Sequence, residues 1–364
     1  MIYTSNPKIQ YKSIQKKIDK AINTVLNSDN YILGKYVKDF EESFAKYIQT
    51  KYAIGVANGT DAIELVLRAL EIGAGDEVIT TSHTALASVA AIQCAGASPI
   101  LCDIGDETFN IDPDKVLKLI TKKTRAILAV HLYGTSCNLE LLKKICKNNN
   151  IYLIEDVSQA HGAYFKKKRL GSIGIAGCFS CYPTKNLGAI GDAGVITTNN
   201  KSLAIKLKKI RQYGWKEPNM SYDYGRNSRL DELQAAILTE KLKCLDSNNN
   251  KRKKIANYYD KHLTNKVIKP VPNIYSDHVY HLYVIKTTFA KNLKIFLKKN
   301  NILCGVHYPL PVHLQPAYKG KIGESKHLKN TEALIGNILS IPLYPELSAN
   351  EYKFICSTIN SFFK

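Results

Sequence analysis

Helix-like and strand-like segments alternate along this chain from about residue 38 to residue 200. The helical pattern at Val37–Gln49 precedes the strand-like Tyr52–Ala57, which is followed by the apolar helical run Ala62–Leu70. Later apolar runs have the length of strands and are separated by helical patterns: Glu77–Thr80, Pro99–Asp103, Arg125–Leu132, Ile151–Glu155 and Gly194–Thr198. Strands that alternate with helices form parallel sheets with helices on both faces. The chain is therefore predicted to be an α/β protein with a mostly parallel central sheet.

The sequence changes character after Asn200. Long helical patterns cover 201–213 and 228–263, and a smaller α/β part follows them. This part contains the strand-like segment Val279–Lys286. It also contains three helical patterns, at 289–299, 327–338 and 348–362. We expect a large domain over residues 1–248, whose N-terminal segment packs across both parts, and a small domain over residues 249–364.

The composition argues against a nucleic-acid-binding protein and against a membrane protein. The chain has 364 residues and a net charge of +20, but only seven of its 51 basic residues are Arg, and its lysine runs lack interleaved aromatic residues. Such runs are typical of solvated faces rather than of a nucleic-acid groove. The nine cysteines are scattered, the first residues are polar, and no apolar run reaches the ~18 residues of a membrane span. These features predict a cytoplasmic protein with reduced thiols and no membrane or nucleic-acid partner.

The segment Asn58-Gly59-Thr60-Asp61 lies between a predicted strand and a predicted helix. Free N–H groups and the helix dipole attract anions at a helix N-terminus. Gly59 would let a phosphate approach, and Thr60 offers a hydroxyl. An ordinary N-cap uses the same residue types, so this segment alone leaves both interpretations open.

Asp156 follows Glu155 at the end of an apolar predicted strand. Ligands of open parallel sheets bind at the carboxyl ends of the strands, and a buried acid needs a cationic or hydrogen-bonding partner. A protonated pyridine nitrogen would be such a partner. A capping role for this carboxylate is the alternative.

Lys185 lies in the segment Cys178-Phe-Ser-Cys-Tyr-Pro-Thr-Lys185-Asn-Leu-Gly188, beside an apolar strand. Desolvation lowers the pKa of a lysine amine, and the neutral amine can form a Schiff base with a carbonyl compound. A solvated surface lysine is the alternative. The Cys-x-x-Cys pair has no second close pair, so no metal site is expected.

A fourth segment, Gly225-Arg226-Asn227-Ser228-Arg229, precedes the apolar helical run Leu230–Leu238. Two arginines next to a helix start indicate either a basic loop at a binding site or a helix cap with solvated side chains. The residues by themselves therefore indicate a phosphate turn, a buried acid, a candidate reactive lysine and a basic loop.

Together, these segments resemble the DegT/DnrJ/EryC1/StrS family of sugar aminotransferases. The resemblance runs from Tyr31-Ile-Leu-Gly34 to Ile341-Pro-Leu-Tyr344 and so spans nearly the whole chain. Its most specific stretches stand in the family's order and spacing: Asn58–Ala62, Glu155–Gly162, Phe179–Gly194 and Gly225–Ala236. The resemblance implies the fold of aspartate aminotransferase (fold type I), with a smaller C-terminal α/β domain, and pyridoxal 5'-phosphate (PLP) as the cofactor.

The resemblance also implies roles for individual residues. Lys185 matches the lysine that forms a Schiff base with PLP and then acts as a general base. Asp156 matches the carboxylate that pairs with the pyridine nitrogen. The other implied contacts are Gln159 at the ring hydroxyl and, at the phosphate, Gly59, Thr60, Ser180 and Asn227 of the partner subunit. The last match implies a homodimer with shared active sites.

One position departs from many relatives, which have an aromatic residue that covers the cofactor ring. This chain has Ala85 there, within Ser82-His83-Thr84-Ala85-Leu86. His83 is expected to provide the stacking surface instead. A hydrogen-bonded structural histidine is the alternative.

The reaction implied by the resemblance moves an amino group from L-glutamate to a keto sugar that is linked to a nucleoside diphosphate. Phe179–Gly194 is most similar to enzymes for dTDP-linked 3-keto-6-deoxyhexoses, so the implied product is a dTDP-3-amino-3,6-dideoxyhexose for surface glycan biosynthesis. A 4-keto sugar substrate and a non-catalytic PLP-binding regulator are the alternatives. The expected substrate contacts are Tyr182, Arg229, Tyr308 and His313.

Overall fold

The computed structural model of the chain describes residues 1–105, 107–271, 273, 275–324 and 328–364. The strands, in chain order, are β1 (Tyr52–Val56), β2 (Glu77–Thr81), β3 (Ser98–Cys102), β4 (Thr124–Val130), β5 (Tyr152–Asp156), β6 (Tyr164–Phe165), β7 (Lys168–Arg169), β8 (Ala176–Ser180), β9 (Gly194–Thr198), β10 (Trp215–Glu217), β11 (Met220–Ser221), β12 (Tyr283–Lys286), β13 (Gly323–Glu324) and β14 (Ile338–Ile341). The α-helices are α1 (Pro7–Ser13), α2 (Gln15–Leu26), α3 (Lys35–Ile48), α4 (Gly59–Ala69), α5 (Leu86–Cys94), α6 (Pro113–Leu117), α7 (Leu139–Asn149), α8 (Lys201–Ile210), α9 (Glu232–Leu242), α10 (Leu245–His262), α11 (Ala290–Lys299), α12 (Lys329–Glu332) and α13 (Ala349–Phe362). None of the helices within these ranges is long and apolar enough to cross a membrane.

A central sheet organises the N-terminal part. Among the described residues it has eight strands, in the order β1-β9-β8-β5-β4-β2-β3-β13. Neighbouring strands from β8 to β13 are parallel, whereas β9 runs antiparallel to both β1 and β8. Nearly all of β4 is buried, as expected for a strand that is covered on both faces. The predicted α/β fold with a mostly parallel sheet is confirmed.

Helices cover both faces of this sheet. On one face, α3, α7 and α9 form a core that includes Phe44 and Phe179, whose rings meet edge to face at 5.0 Å. On the other face, α4, α5 and α8 contribute fully buried side chains such as Leu65 and Leu207. Each side chain of this size adds about 1.5–3 kcal/mol when it is fully buried. The two cores hold the carboxyl ends of the strands in place.

The chain after α9 forms a smaller part with a core of its own. β12 and β14 pair antiparallel, and α10, α11 and α13 pack around Tyr259 and Tyr283, whose ring centroids are 5.1 Å apart. The N-terminus joins this part, because the N–H of Ile2 donates to the carbonyl of Asn301 at 2.8 Å. The predicted domain boundary at 248–249 falls inside α10, and this boundary stays a prediction.

The helical pattern at 228–263 forms two helices instead of one. α9 ends at Leu242, α10 begins at Leu245, and Lys243 and Cys244 lie between them. Leu242 and Leu245 are both buried in the same core. Both helices thus contribute to one core on either side of a break that the apolar pattern of the sequence does not reveal.

The predicted helix at 327–338 is wrong over most of its length. α12 covers only Lys329–Glu332, residue 327 lies outside the described residues, and the run from Ile338 forms β14. Gly336 interrupts the helical pattern with a positive φ of 72°. A short apolar run fits a buried helix as well as a strand, and pairing with the distant β12 decides for the strand here.

Glu232, at the start of α9, caps the N-terminus of α3. Its buried carboxylate accepts the N–H groups of Gly34 at 2.7 Å, Tyr36 at 2.8 Å and Val37 at 3.1 Å. Removal of the carboxylate leaves these donors without a partner, at a cost of about 1–3 kcal/mol for a fully buried group. We expect Glu232→Ala to lower the free energy of unfolding by about 3 kcal/mol, as measured by urea denaturation followed by circular dichroism.

The matched control for this measurement is Glu42→Ala, at an exposed position of the same helix α3. It should change the free energy of unfolding by less than about 0.5 kcal/mol, as is usual for surface substitutions. Equal destabilisation by the two variants would contradict the capping role of Glu232.

Candidate active site

The carboxyl ends of β4, β5 and β8 meet at one edge of the sheet and open into a cavity of about 270 Å³. Its walls are the N-terminus of α4, the segment before α5, the residues after β5 and the turn after β8. Ligands of open parallel sheets bind at this edge. Most of the residues predicted for the site line this cavity, namely Gly59, Thr60, Asp156, Gln159, Ser180, Tyr182 and Lys185.

The N-terminus of α4 forms one wall of the cavity. Asn58 caps this helix, because its Oδ1 accepts the N–H of Asp61 at 2.8 Å. The N–H groups of Gly59 and Thr60 have no hydrogen-bond partner among the described residues. A Cβ on Gly59 would lie 2.5 Å from the Cβ of Ser180, so glycine lets the helix begin beside β8. Free N–H groups, the helix dipole and two hydroxyls suit a phosphate.

Asp156 ends β5 and is 5% exposed. Its Oδ2 accepts a hydrogen bond from the Ser88 hydroxyl at 2.8 Å, and its Oδ1 accepts one from the N–H of Ser158 at 3.1 Å. Both carboxylate oxygens are therefore held by protein donors at the cavity wall. A buried carboxylate is further stabilised by a cation, and a protonated ring nitrogen would be a fitting one.

Lys185 lies in a tight turn after β8, where its N–H donates to the carbonyl of Tyr182 at 2.8 Å. Asn186 anchors the turn, because its Nδ2 donates to Oδ1 of Asn249 at 2.9 Å. Burial lowers the pKa of Lys185 to about 8, and the negative charge of nearby Asp156 opposes this shift. Near neutral pH, more of this amine is neutral and nucleophilic than in an ordinary lysine.

Three histidines lie close enough to Lys185 to be affected by its charge. Burial lowers the pKa of His161 to about 3 and that of His307 to about 4, and the positive charge of Lys185 adds to both shifts. The pKa of His281 is lowered well below its usual value for the same reasons. Because these rings stay neutral, they put no positive charge beside the amine.

Gln159 is oriented by two hydrogen bonds. Its Oε1 accepts the N–H of Tyr133 at 2.8 Å, and its Nε2 donates to the Tyr308 hydroxyl at 3.0 Å. The Tyr133 hydroxyl donates to the carbonyl of His307. Its one proton is used there, so Nε2 of His83 is the donor in the 2.7 Å bond between this ring and the Tyr133 hydroxyl. These bonds connect the cavity wall to the C-terminal part of the chain.

His83 lies behind the cavity wall. Among the described residues, Ala85 lines the cavity and His83 does not. The ring of His83 is 2% exposed, is bonded to Tyr133, and is neutral because burial lowers its pKa to about 3. This geometry matches a hydrogen-bonded structural histidine. The stacking role of His83 stays a prediction that no contact in the structure supports.

The remaining predicted residues occupy different positions. Tyr182 is 52% exposed on the cavity wall. Asn227 is exposed and Arg229 is half-buried on the loop after β11, outside the wall that the described residues form in their own chain. His313 is 4% exposed, and its Nδ1 bonds to the Ser82 hydroxyl at 2.7 Å. Substrate contacts of these residues stay predictions.

Sequence reasoning missed the hydroxyl groups around Asp156. Ser88 bonds to the carboxylate, whereas Thr84 and Ser158 line the cavity. Asp192, beyond the Lys185 turn, was also missed and lines the cavity. One signal was available, since a serine inside the apolar run Leu86–Ile92 needs a hydrogen-bond partner once it is buried.

These groups fit pyridoxal 5'-phosphate. The N-terminus of α4, with Thr60 and Ser180, would hold the phosphate, Asp156 would hold the protonated ring nitrogen, and Lys185 would supply the amine for the aldehyde. Each donor or charge complements the part of PLP that it would face. When bound, PLP withdraws electrons from the substrate carbon that loses a proton.

The lowered pKa of Lys185 predicts how the apoenzyme captures PLP. Only the neutral amine is a nucleophile, so the rate of covalent attachment should rise with pH and level off above about 8. An ordinary lysine would gain reactivity up to about pH 10.4. Stopped-flow absorbance of the apoenzyme mixed with PLP measures this rate across the pH range.

Lys185→Ala is the control for these measurements, because it retains the cavity and should give no covalent chromophore at any pH. A rate that still climbs steeply at about pH 10 would mean that Lys185 titrates like a solvated lysine.

Comparisons with known proteins agree with this geometry. The profile of the DegT/DnrJ/EryC1/StrS aminotransferase family matches residues 12–360. The chain is 46% identical, over 96% of both chains, to the dTDP-3-amino-3,6-dideoxy-alpha-D-galactopyranose transaminase of Aneurinibacillus thermoaerophilus. It is 40% identical to the pleiotropic regulatory protein of Geobacillus stearothermophilus, over 98% of this chain and 96% of that one. The crystal structure of DesV from S. venezuelae superposes with a TM-score of 0.97 at 37% identity and covers 99% of this chain and 98% of that chain.

The family match covers all the segments that carry the resemblance, from the turn at Asn58 to the loop at Asn227. The structural match extends the agreement to the fold of the whole chain. The predicted family, fold and cofactor are therefore confirmed. The chain belongs to the DegT/DnrJ/EryC1/StrS family of PLP-dependent aminotransferases.

Proposed function

We propose that this aminotransferase moves the amino group of L-glutamate onto a dTDP-linked 3-keto-6-deoxyhexose. The product would be a dTDP-3-amino-3,6-dideoxyhexose, made in the cytoplasm for surface glycan biosynthesis. The observation that carries this proposal is the similarity, over nearly the whole chain, to a transaminase named for dTDP-3-amino-3,6-dideoxygalactose. The cavity supplies the chemistry that such a transfer needs.

The proposed roles of the residues follow from their positions. The Lys185 amine, whose pKa is lowered to about 8 by burial, moves the proton at the reacting carbon in both halves of the reaction. Asp156 would hold the ring nitrogen, and Gly59 and Thr60 would hold the phosphate. Gln159, which Tyr133 and Tyr308 orient, would contact the ring hydroxyl.

The diphosphate of the substrate requires a cationic contact. Arg226 is a weak candidate, because its guanidinium is already paired with Glu64 at 2.5 Å and with Asp61 at 3.4 Å. Arg229 is half-buried on the same loop, and the planar fork of a guanidinium matches phosphate oxygens. We therefore assign the diphosphate contact to Arg229, and the sugar contacts to Tyr182, Tyr308 and His313.

The loop around β10 and β11 supports a homodimer with shared active sites. Tyr222 and Tyr224 on this loop are 55% and 99% exposed, and exposed aromatic residues are typical of protein interfaces. Asn227 follows them and is not among the described residues that line the cavity of its own chain. In the proposed dimer, Asn227 of the partner subunit completes the phosphate site.

A second candidate function is that of a PLP-binding regulator without turnover. The similarity to the pleiotropic regulatory protein of Geobacillus stearothermophilus favours it. Such a protein would retain the cavity, Lys185 and a yellow colour. Turnover of a keto sugar separates the two functions.

The first experiment offers the holoenzyme L-glutamate with the two keto sugars in parallel. The dTDP-4-keto-6-deoxyhexose is supplied directly, and an isomerase converts it to the 3-keto sugar in the second reaction. We expect amination at carbon 3, identified by NMR. Misplacement by about 1 Å can cost 100-fold in rate, so carbon 4 should react at least about 100-fold more slowly.

The outcomes of this experiment distinguish the three functions. Amination of carbon 4 alone would overturn the 3-keto assignment and leave the aminotransferase activity in place. If the protein binds PLP but aminates no sugar, in the reaction with the isomerase and in the one without it, the result would favour the regulatory function.

The second experiment mixes two inactive variants, Lys185→Ala and Asn227→Asp. The new carboxylate at position 227 would repel the phosphate. If the sites are shared, half of the randomly mixed dimers are hybrids, and each hybrid has one site with both native residues. We expect about a quarter of the native activity after mixing equal amounts.

Subunit exchange is verified by mass spectrometry of differently tagged chains. Exchange without recovered activity would indicate that each site is built from one chain. If Lys185→Ala is inactive but Asn227→Asp has the same activity as the native protein, Asn227 does not belong to the site.

A further inference from the structure

Two buried hydroxyl groups are linked to the Asp156 carboxylate by hydrogen bonds. The Ser88 hydroxyl is 2.8 Å from Oδ2 of Asp156, and the Thr84 hydroxyl is 3.1 Å from that of Ser88. Thr84 and Ser88 are 2% and 0% exposed, and Asp156 is 5% exposed. The three side chains therefore form a chain of hydrogen bonds that water scarcely reaches.

The direction of these hydrogen bonds follows from chemistry. An ionised carboxylate can only accept, so the single hydroxyl proton of Ser88 is donated to Asp156. Ser88 then has no proton left, and Thr84 must be the donor in the bond between the two hydroxyls. Aligned hydrogen bonds polarise one another, so Thr84 strengthens the donor that Ser88 presents to the carboxylate.

Ser88 lies in the first turn of α5, but its hydroxyl does not cap this helix. A serine in the first turn of a helix usually bonds to nearby backbone groups. The N–H of Ser88 does bond to the carbonyl of Ala85 at 3.2 Å, but its hydroxyl leaves the helix for Asp156 on β5. The side chain thus links the segment before α5 to the end of β5.

We propose that Ser88, supported by Thr84, is a positioning residue that fixes the Asp156 carboxylate for the ring nitrogen of the cofactor. This inference rests on the proposed role of Asp156. The N–H of Ser158 holds Oδ1, and Ser88 holds Oδ2. With both oxygens held, the carboxylate cannot rotate towards another partner without the loss of a hydrogen bond, so its orientation is set before the cofactor arrives.

The loss of the Ser88 hydroxyl should weaken cofactor binding through Asp156. Pyridoxamine phosphate is the suitable probe, because it forms no covalent bond with Lys185 and its dissociation constant reports the other contacts. We expect Ser88→Ala to raise this dissociation constant about tenfold, which equals about 1.4 kcal/mol, and to lower kcat with little change in the KM for L-glutamate. Thr84→Val should have the same effect at about threefold, because it removes only the supporting donor.

The matched control is Thr80→Val on β2. The Thr80 hydroxyl is also fully buried and donates to the carbonyl of Leu128 at 3.0 Å, but it lies outside the cavity wall that the described residues form. This variant should lose stability and retain the native dissociation constant for pyridoxamine phosphate.

Two further variants test Ser88 itself. Ser88→Thr retains the hydroxyl and should bind pyridoxamine phosphate like the native protein. Ser88→Cys, which has a similar volume and a weak donor, replaces Ser88→Ala if Ser88→Ala does not fold.

A double-mutant cycle with Asp156→Ala separates this inference from the proposed role of Asp156. If Ser88 acts through Asp156, Ser88→Ala should have no further effect on the dissociation constant once the carboxylate is absent. An equal effect in both backgrounds, or a native dissociation constant in Ser88→Ala and Ser88→Cys, would overturn the inference. Native binding and turnover in Asp156→Ala itself would instead overturn the role of Asp156, and the inference with it.

Discussion

The parallel pairing of β4, β5 and β8 is the constraint on which the site depends. Val130 is paired with Asp156, and Asp156 with Cys178. Because these strands run in the same direction, their carboxyl ends reach the same edge of the sheet. A carboxylate, a turn with a lysine and several hydroxyls, which are far apart in the sequence, therefore surround one cavity.

The antiparallel strand β9 completes this arrangement. It pairs with β1 on one side and β8 on the other, and it begins at Gly194, opposite both Val56 and Ser180. A Cβ on Gly194 would lie 2.3 Å from the carbonyl oxygen of Asn58. Glycine is required there because the chain that leaves β1 must pass closely over β9 before α4 begins. The helix N-terminus is thereby brought to the side of Ser180.

The carboxylate of Asp156 and the amine of Lys185 interact in the cavity wall. Burial favours the neutral form of the Lys185 amine, whereas the carboxylate of Asp156 favours the protonated form. The nearby rings of His161 and His307 are neutral because burial and the lysine charge both lower their pKa. In a poorly solvated site each added charge acts strongly, so neutral neighbours leave Asp156 as the main electrostatic influence on the lysine.

Several hydrogen bonds connect the cavity wall to the C-terminal part. Gln159 bonds to Tyr308, and the Ser82 hydroxyl bonds to Nδ1 of His313 at 2.7 Å. Nε2 of His313 is 3.3 Å from Oε1 of Glu332 on α12. Ser82 precedes the wall residues Thr84 and Ala85, so the buried His313 of the C-terminal part holds the chain where it enters the wall.

Local residue patterns determined the parallel sheet, the helix start at Asn58 and the segments around Asp156 and Lys185. These features depend on apolar periodicity and on residue types that are close in the sequence, so they can be predicted without a structure.

The tertiary partners of the site residues could not be predicted from the sequence. Ser88 is an ordinary small residue until α5 places its hydroxyl on Asp156. The bond between His83 and Tyr133 is not visible in the sequence, and the run from Ile338 became a strand only because β12 lies beside it. Contacts between segments that are distant in the chain depend on how the helices and strands pack, and that packing is settled by the tertiary structure.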